Sequence, residues 1–205
     1  MAAWKQWFAS GGDWRSKPWF AVDCESNGTD LKKAEILSVG WVPIQPPFVA
    51  LGKGQYQVIQ QQLNLNQSAV VHQLTHADIQ DGEPLQDVLS QLREATQGAY
   101  LVAHHAAFDK TLLMNAMRAQ GMVWQPAGWY DTLRAERKIL NRQNAVLSGK
   151  SLQLDTCCQR YGLPNYHQHH ALADAIACAE LFLAQQYKQS GSSELALNQV
   201  LARGQ

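Results

Sequence analysis

The chain has 205 residues, 46% of them hydrophobic and 17% charged, with 17 basic side chains balanced by 17 acidic ones. That length supports one ordinary domain with a sizeable core, and the composition excludes a disordered chain or a coiled coil. A net charge of zero excludes a protein that coats nucleic acid by charge alone, because non-specific affinity scales with the phosphates that Lys and Arg neutralise.

In chain order, residues 1–17 form an aromatic-rich N-terminal extension. Trp4, Trp7 and Phe8 share the spacing of one helix face; packing onto the domain, together with Trp14, is the expected role, and docking a partner is the alternative. Residues 19–24 (WFAVDC) read as a buried strand halted by acidic and turn-forming residues. Residues 36–44 and 48–59 give two more strands, split by Pro46 and Pro47, so an antiparallel meander is expected. Thr75 and Asp78 mark a helix opening, after which Leu85, Val88, Leu89 and Leu92 recur at helical spacing. A short strand at 100–103 precedes a helix at 108–119, which Gly121 stops.

Asp131 is placed to cap a helix over 132–140, followed by a polar loop at 141–150 and a helix at 152–161 that Gly162 and Pro164 end. The last long helix is expected over 171–188, with Leu172, Ala175, Ile176, Ala179 and Leu183 as its core stripe. Residues 190–193 read as a flexible break, which places the main domain at 18–188 and a C-terminal tail at 189–205. Strands that alternate with helices after an initial meander predict an α/β protein with a mixed sheet. Cys24, Cys157, Cys158 and Cys178 form no C-x-x-C pair and have no His at zinc-finger spacing, which predicts reduced, mostly buried thiols and a cytoplasmic location. No stretch reaches the roughly 18 to 20 apolar residues of a membrane helix.

Three short blocks carry chemistry. Asp23 and Glu25 end the first strand two residues apart, so both carboxylates leave the same side of the sheet and repel unless a cation lies between them. Oxygen-rich pairs of this kind suit Mg2+ or Mn2+, although acidic residues also end strands without metal. The second block, His104-His105-Ala106-Ala107-Phe108-Asp109, joins a strand to a helix, where Asp109 serves either as a first-turn anion or as a site group. In the third, His169-His170-Ala171-Leu172-Ala173-Asp174, Asp174 opens the last helix and His169 lies in the loop before it, suited to take a proton from water. His167, His169 and His170 as zinc ligands would lack a partner at the necessary spacing.

Taken together, FAVDCE, VAHHAAFD and HHALADA resemble the three ordered motifs of the DEDDh, or DnaQ-like, 3'-to-5' exonucleases, the family of the epsilon proofreading subunit of bacterial DNA polymerase III. The likeness extends through EILSVGWV, HQLTHADI, PLQDVLSQL, YDTLRAER and SLQLDTCCQRYGLP, and covers residues 18–187. It implies a ribonuclease H-like fold, a mixed five-stranded sheet flanked by helices. It also implies two Mg2+ or Mn2+ ions held by Asp23, Glu25, Asp109 and Asp174, with Asp23 bridging and His169 as general base. The implied reaction releases 5'-mononucleotides from single-stranded or frayed 3' ends of DNA or RNA, as in DNA repair.

Where His105 stands, the family often has Asn, and Ser26, Asn27, Gly28 and Thr29 replace its common Thr-Thr-Gly-Leu. By this resemblance Ser26, His104, His105 and Phe108 are the expected substrate contacts. Little chain follows Asp174, which favours a free-standing enzyme over a polymerase-bound proofreading subunit; a non-catalytic nucleic-acid-binding module would be expected to lack one of the five site residues. Arg134, Arg137, Lys138, Arg142 and Lys150, against Glu136 alone, either guide a phosphate backbone or form a solvated face, and Asp78, Asp81, Glu83, Asp87 and Glu94 are expected to face away from substrate.

Overall fold

The computed structural model describes residues 12–60, 76–166, 169–190 and 195–205. The apolar run at Trp19 forms β1 (Trp19–Ser26), which pairs antiparallel with the β-branched stretch of β2 (Ile36–Gln45). Six strands among the described residues make one sheet, where five were expected. The difference lies beyond β2, where the anticipated strand over 48–59 is two short ones, β3 (Phe48–Val49) and β4 (Gln55–Val58). A 3-10 turn at Leu51–Lys53, with glycines at 52 and 54, lifts the chain off the sheet between them. Both pairs lie along the same edge of β2, β3 at Ile44 and Gln45 and β4 at Ser38 to Trp41, so six strands fill five lanes.

The remaining order alternates. After α1 (His76–Gln80) and α2 (Leu85–Thr96) comes β5 (Tyr100–Ala103), parallel to β1, then α3 (Ala106–Ala119) and β6 (Gly128–Asp131), parallel to β5. Thr75 lies outside the described residues; the apolar stripe of α2 starts after Pro84, whose fixed φ suits a helix entry. Next come α4 (Thr132–Arg142), α5 (Leu154–Arg160) and α6 (Ala171–Ser190). Asp131 caps α4, its carboxylate accepting from the N–H groups of Leu133 and Arg134. The helix expected from 152 begins at Leu154, because the chain still turns through residues 151–153.

Strand parity divides the core. Val22 and Cys24 of β1 pack with Val39, Leu89, Leu92, Leu112 and Leu113 on the α2–α3 face. Trp19 and Ala21 pack with Val42, Val102, Ala175, Cys178 and Phe182 on the α6 face. All four cysteines are buried and free. No described helix is long and apolar enough to cross a membrane.

The expected extension and tail both fold back onto the domain as far as they are described. Trp14 is 1% exposed, edge-on to Phe182 and Trp19, while Trp4, Trp7 and Phe8 lie outside the described residues. The tail forms α7 (Leu197–Gly204), whose apolar face, including Leu197 and Val200, joins the α6-side core. Its Gly204 lies so close to Tyr130 that a Cβ there would meet the ring at 2.6 Å.

Gly40, in β2 opposite Asp23, allows α6 to approach the sheet. A Cβ at Gly40 would sit 2.3 Å from the Leu172 nitrogen and 2.4 Å from the Ala171 carbonyl carbon. Gly40→Ala is therefore expected to destabilise the protein by about 3 kcal/mol or more, the upper end for overpacking, since the obstacle is backbone that cannot rotate away. Thermal melts check this; an unchanged melting temperature would mean that α6 does not seat on β2 as described.

Candidate functional site

The parity that buries Val22 and Cys24 on the α2–α3 face turns Asp23 and Glu25 to the α6 face, where the first turn of α6 supplies Asp174. One carboxylate oxygen from each of Asp23, Glu25 and Asp174 can be chosen so that all lie within 4.8 Å of one another. Asp109 reaches the site from another direction. The parallel ladder between β1 and β5 ends at Ala21 and Val102, so the N–H of Cys24 continues past its neighbour strand. Asp109, 4% exposed in the first turn of α3, accepts that N–H at 3.1 Å and thereby ties α3 to the end of β1.

Gathering these carboxylates is electrostatically costly without a cation. Removal from water, then Asp109, Asp174 and Glu25 in that order, push Asp23 well above the usual carboxylate range. Burial raises Asp109 to about 7, against the lowering effect of the N–H bonds it accepts, and raises Asp174 to about 6. A compact set of hard oxygen donors that must otherwise bind protons is the chemistry of a Mg2+ or Mn2+ site, so the residues fit the ions that the motifs imply.

The same shifts predict a pH dependence. The folded state favours the neutral form of Asp109 and Asp174, so the stability they contribute is present below their ordinary value of 3.8 and is lost as pH rises through about 6 and 7. His104 acts oppositely, because burial lowers its pKa and its contribution is lost as pH falls. In chelator, the melting temperature of the wild type is expected to fall relative to Asp109→Asn between pH 4 and 7. Parallel curves for the two proteins would contradict the shift.

His169 sits in the left-handed region, φ 65°, with its ring on an exposed residue and its backbone N–H donated to Asp174 Oδ2 at 3.0 Å. His170 follows, half-buried, with its ring stacked on Tyr56 of β4 and its Nδ1 facing the Ala173 N–H at 3.4 Å. Nothing in the spacing of the sequence singled out Tyr56, whose place opposite Gly40 depends on the β2–β4 register. His167 lies outside the described residues.

The four expected substrate contacts have different surroundings. His104 has both ring nitrogens engaged, Nδ1 with Thr132 Oγ1 at 2.9 Å and Nε2 with the Leu152 carbonyl at 2.8 Å, and so joins β5 to α4 and to the turn before α5. His105 is the left-handed N-cap of α3, φ 71°, with its N–H donated to Asp131 Oδ1 at 3.2 Å. A left-handed position favours Asn, and His, also enriched in that region, serves here. Ser26 donates its hydroxyl to the Gly28 carbonyl at 2.8 Å, and half-buried Phe108 packs against the α2–α3 core.

The basic segment also reads differently in space. Glu136 is 0% exposed; its Oε1 accepts from Arg160 at 2.7 Å and its Oε2 from the Tyr161 hydroxyl and Gln185, at 2.9 and 3.0 Å. It belongs to a buried link among α4, α5 and α6 rather than to a solvated face. Arg134, Arg137, Arg142 and Lys150 are exposed, while Lys138 donates to the Ala202 carbonyl of α7.

The family model of the RNase_T exonucleases matches residues 20–182. Among curated relatives, the PolC-type DNA polymerase III of Thermotoga petrophila is 25% identical over 179 residues, covering 85% of this chain and 12% of the polymerase. That of Caldanaerobacter subterraneus is 27% identical over 164 residues, covering 78% and 11%. The chain thus spans a small part of the length of these relatives. Among solved structures, Exonuclease X in complex with 5' overhanging duplex DNA superposes with a TM-score of 0.66 at 18% identity, covering 91% of this chain and 99% of that one. E. coli Exonuclease I in complex with a 5cy-dT13 oligonucleotide gives 0.70 at 13%, covering 84% and 41%. These likenesses establish the ribonuclease H-like fold, and with the family match extending from β1 into α6, the chain belongs to the RNase_T family of DnaQ-like exonucleases.

Proposed function

We propose that the protein is a DEDDh-type 3'-to-5' exonuclease that releases 5'-mononucleotides from single-stranded or frayed 3' ends. The observation that carries this reading is the convergence of Asp23, Glu25 and Asp174 from β1 and α6, with Asp109 against β1 and His169 bonded to Asp174. Asp23, Glu25 and Asp174 would hold Mg2+ or Mn2+, with Asp109 supporting a second ion. Divalent ions there supply charge neutralisation at a phosphodiester and a more acidic water.

The chain's own groups do the rest. The imidazole of His169, on an exposed loop beside Asp174, accepts the proton of the attacking water. Asp109 fixes the end of β1, and the Cys24 thiol, packed on the α2–α3 side against Asp109, has its pKa pushed well up by burial and by the neighbouring carboxylates. Ser26 closes the turn after β1, where a terminal sugar would lie. His105 presents an exposed ring at the start of α3, and Phe108 stands half-exposed before Asp109, so both remain proposed substrate contacts.

DNA is the favoured substrate, because the matched relatives are DNA polymerases. The test is incubation with 5'-labelled single-stranded DNA and RNA, with Mg2+, Mn2+ or chelator. A ladder that shortens from the 3' end only with metal is expected, faster on DNA; binding without shortening under every metal condition would refute the reading. The same relatives favour a second reading, proofreading in association with a polymerase. It predicts that a mismatched primer end is removed faster than a free single strand of equal length.

A further inference from the structure

We propose that Tyr56 is a positioning residue for His169, acting through His170. This rests on the reading of His169 as the general base. The register of the sheet places Asp23 opposite Gly40 and Gly40 opposite Tyr56, so one row across β1, β2 and β4 presents a carboxylate, a gap and an aromatic ring to the α6 face. The start of α6 lies in the gap, with Ala171 and Leu172 against Gly40. At the far end of the row the Tyr56 ring stacks on His170, with centroids 4.1 Å apart and planes inclined by 26°.

His170 is held on three sides and passes that order to its neighbour. Its ring lies on Tyr56, its Nδ1 faces the Ala173 N–H at 3.4 Å, and its carbonyl accepts the Asp174 N–H at 3.0 Å. The residue before it, His169, donates its backbone N–H to Asp174 from a left-handed conformation that most residues avoid. With His170 anchored, the peptide between the two histidines is fixed at one end by the sheet edge and at the other by Asp174. Without the Tyr56 ring, the capping bonds still define the helix start, but His170 loses one of its three restraints and the His169 imidazole joined to it moves off line.

The test is steady-state hydrolysis of single-stranded DNA by Tyr56→Ala, Tyr56→Phe, His170→Asn and His169→Asn, each alone, and by Tyr56→Ala combined with His169→Asn. Tyr56→Ala is expected to lower kcat by about tenfold to a hundredfold, the cost of a misplacement near 1 Å, with KM for DNA and the Mg2+ concentration dependence nearly unmoved. Tyr56→Phe, which keeps the stacking face, retains most of the rate. His170→Asn keeps an acceptor for the Ala173 N–H but loses the ring, and is expected to match Tyr56→Ala. In the His169→Asn background, Tyr56→Ala should add no further loss.

Losses that multiply in the combined variant would overturn the proposal, as would Tyr56→Phe falling as far as Tyr56→Ala. If His169→Asn is slow while Tyr56→Ala keeps full kcat, only the positioning role fails. If His169→Asn itself keeps the wild-type rate, the general-base reading fails and the positioning role falls with it.

Discussion

Asp23→Asn is expected to lower the metal-dependent rate by about a thousandfold or more, because losing about 4 kcal/mol of transition-state charge stabilisation costs tenfold per 1.36 kcal/mol. Asp23 sits in the middle of the group, with Asp109, Asp174 and Glu25 all raising its pKa. Its removal takes away the carboxylate best placed to share a cation. The same substitution should have the opposite effect on the metal-free protein. An amide of equal size replaces a carboxyl whose ionisation its surroundings oppose, so in chelator the variant should melt at or above the wild-type temperature, while the upward shift that Mg2+ or Mn2+ gives the wild type largely disappears. Measuring both melts with the rate separates a lost site from a damaged fold. A variant that melts early in chelator and loses activity would point to misfolding and would contradict the charge argument.

The second large effect is expected at His169. Substitution by Asn should slow hydrolysis by about a hundredfold to ten-thousandfold, the usual contribution of a positioned acid or base. Asn is the appropriate replacement because the residue has φ 65°, a conformation that Asn tolerates well. The bond to Asp174 Oδ2 comes from the backbone N–H of residue 169, so it survives the change of side chain. Metal affinity, followed by titrating Mn2+ against thermal stability, should therefore stay close to that of the wild type. A collapse of metal affinity in parallel with the rate would show that the imidazole acts as a ligand. Partial recovery of the rate with added imidazole would support proton transfer.

Much of this arrangement was legible in local pattern. D-x-E at the end of an apolar run gave Asp23 and Glu25 a common side of β1, and Asp131 capped the helix that its position announced. What stayed hidden depends on how far distant segments extend. Asp109 bonds the Cys24 N–H because the β1–β5 ladder stops at Ala21 and Val102, and no spacing around Asp109 encodes that length. Glu136 looked like a lone acid on a basic surface, since its partners Arg160, Tyr161 and Gln185 come from two other helices. The division of the strand over 48–59 follows from the turn at Leu51–Lys53, which Gly52 and Gly54 signal only in retrospect. At His105 a signal was present: the left-handed backbone there suits Asn, the residue of the resembled motif, and His is also enriched in that region.

The first and last described segments meet. Asp13 bridges Ala196, the Trp14 N–H donates to the Leu195 carbonyl at 3.3 Å, and the Leu197 N–H donates to the Gly12 carbonyl at 3.1 Å. The segment before β1 and the segment before α7 are thus held to each other as well as to the α6-side core. The seam is also a mechanical fastening. Force that draws residues 12–14 away from residues 195–197 would load these few backbone bonds before any strand of the sheet is sheared.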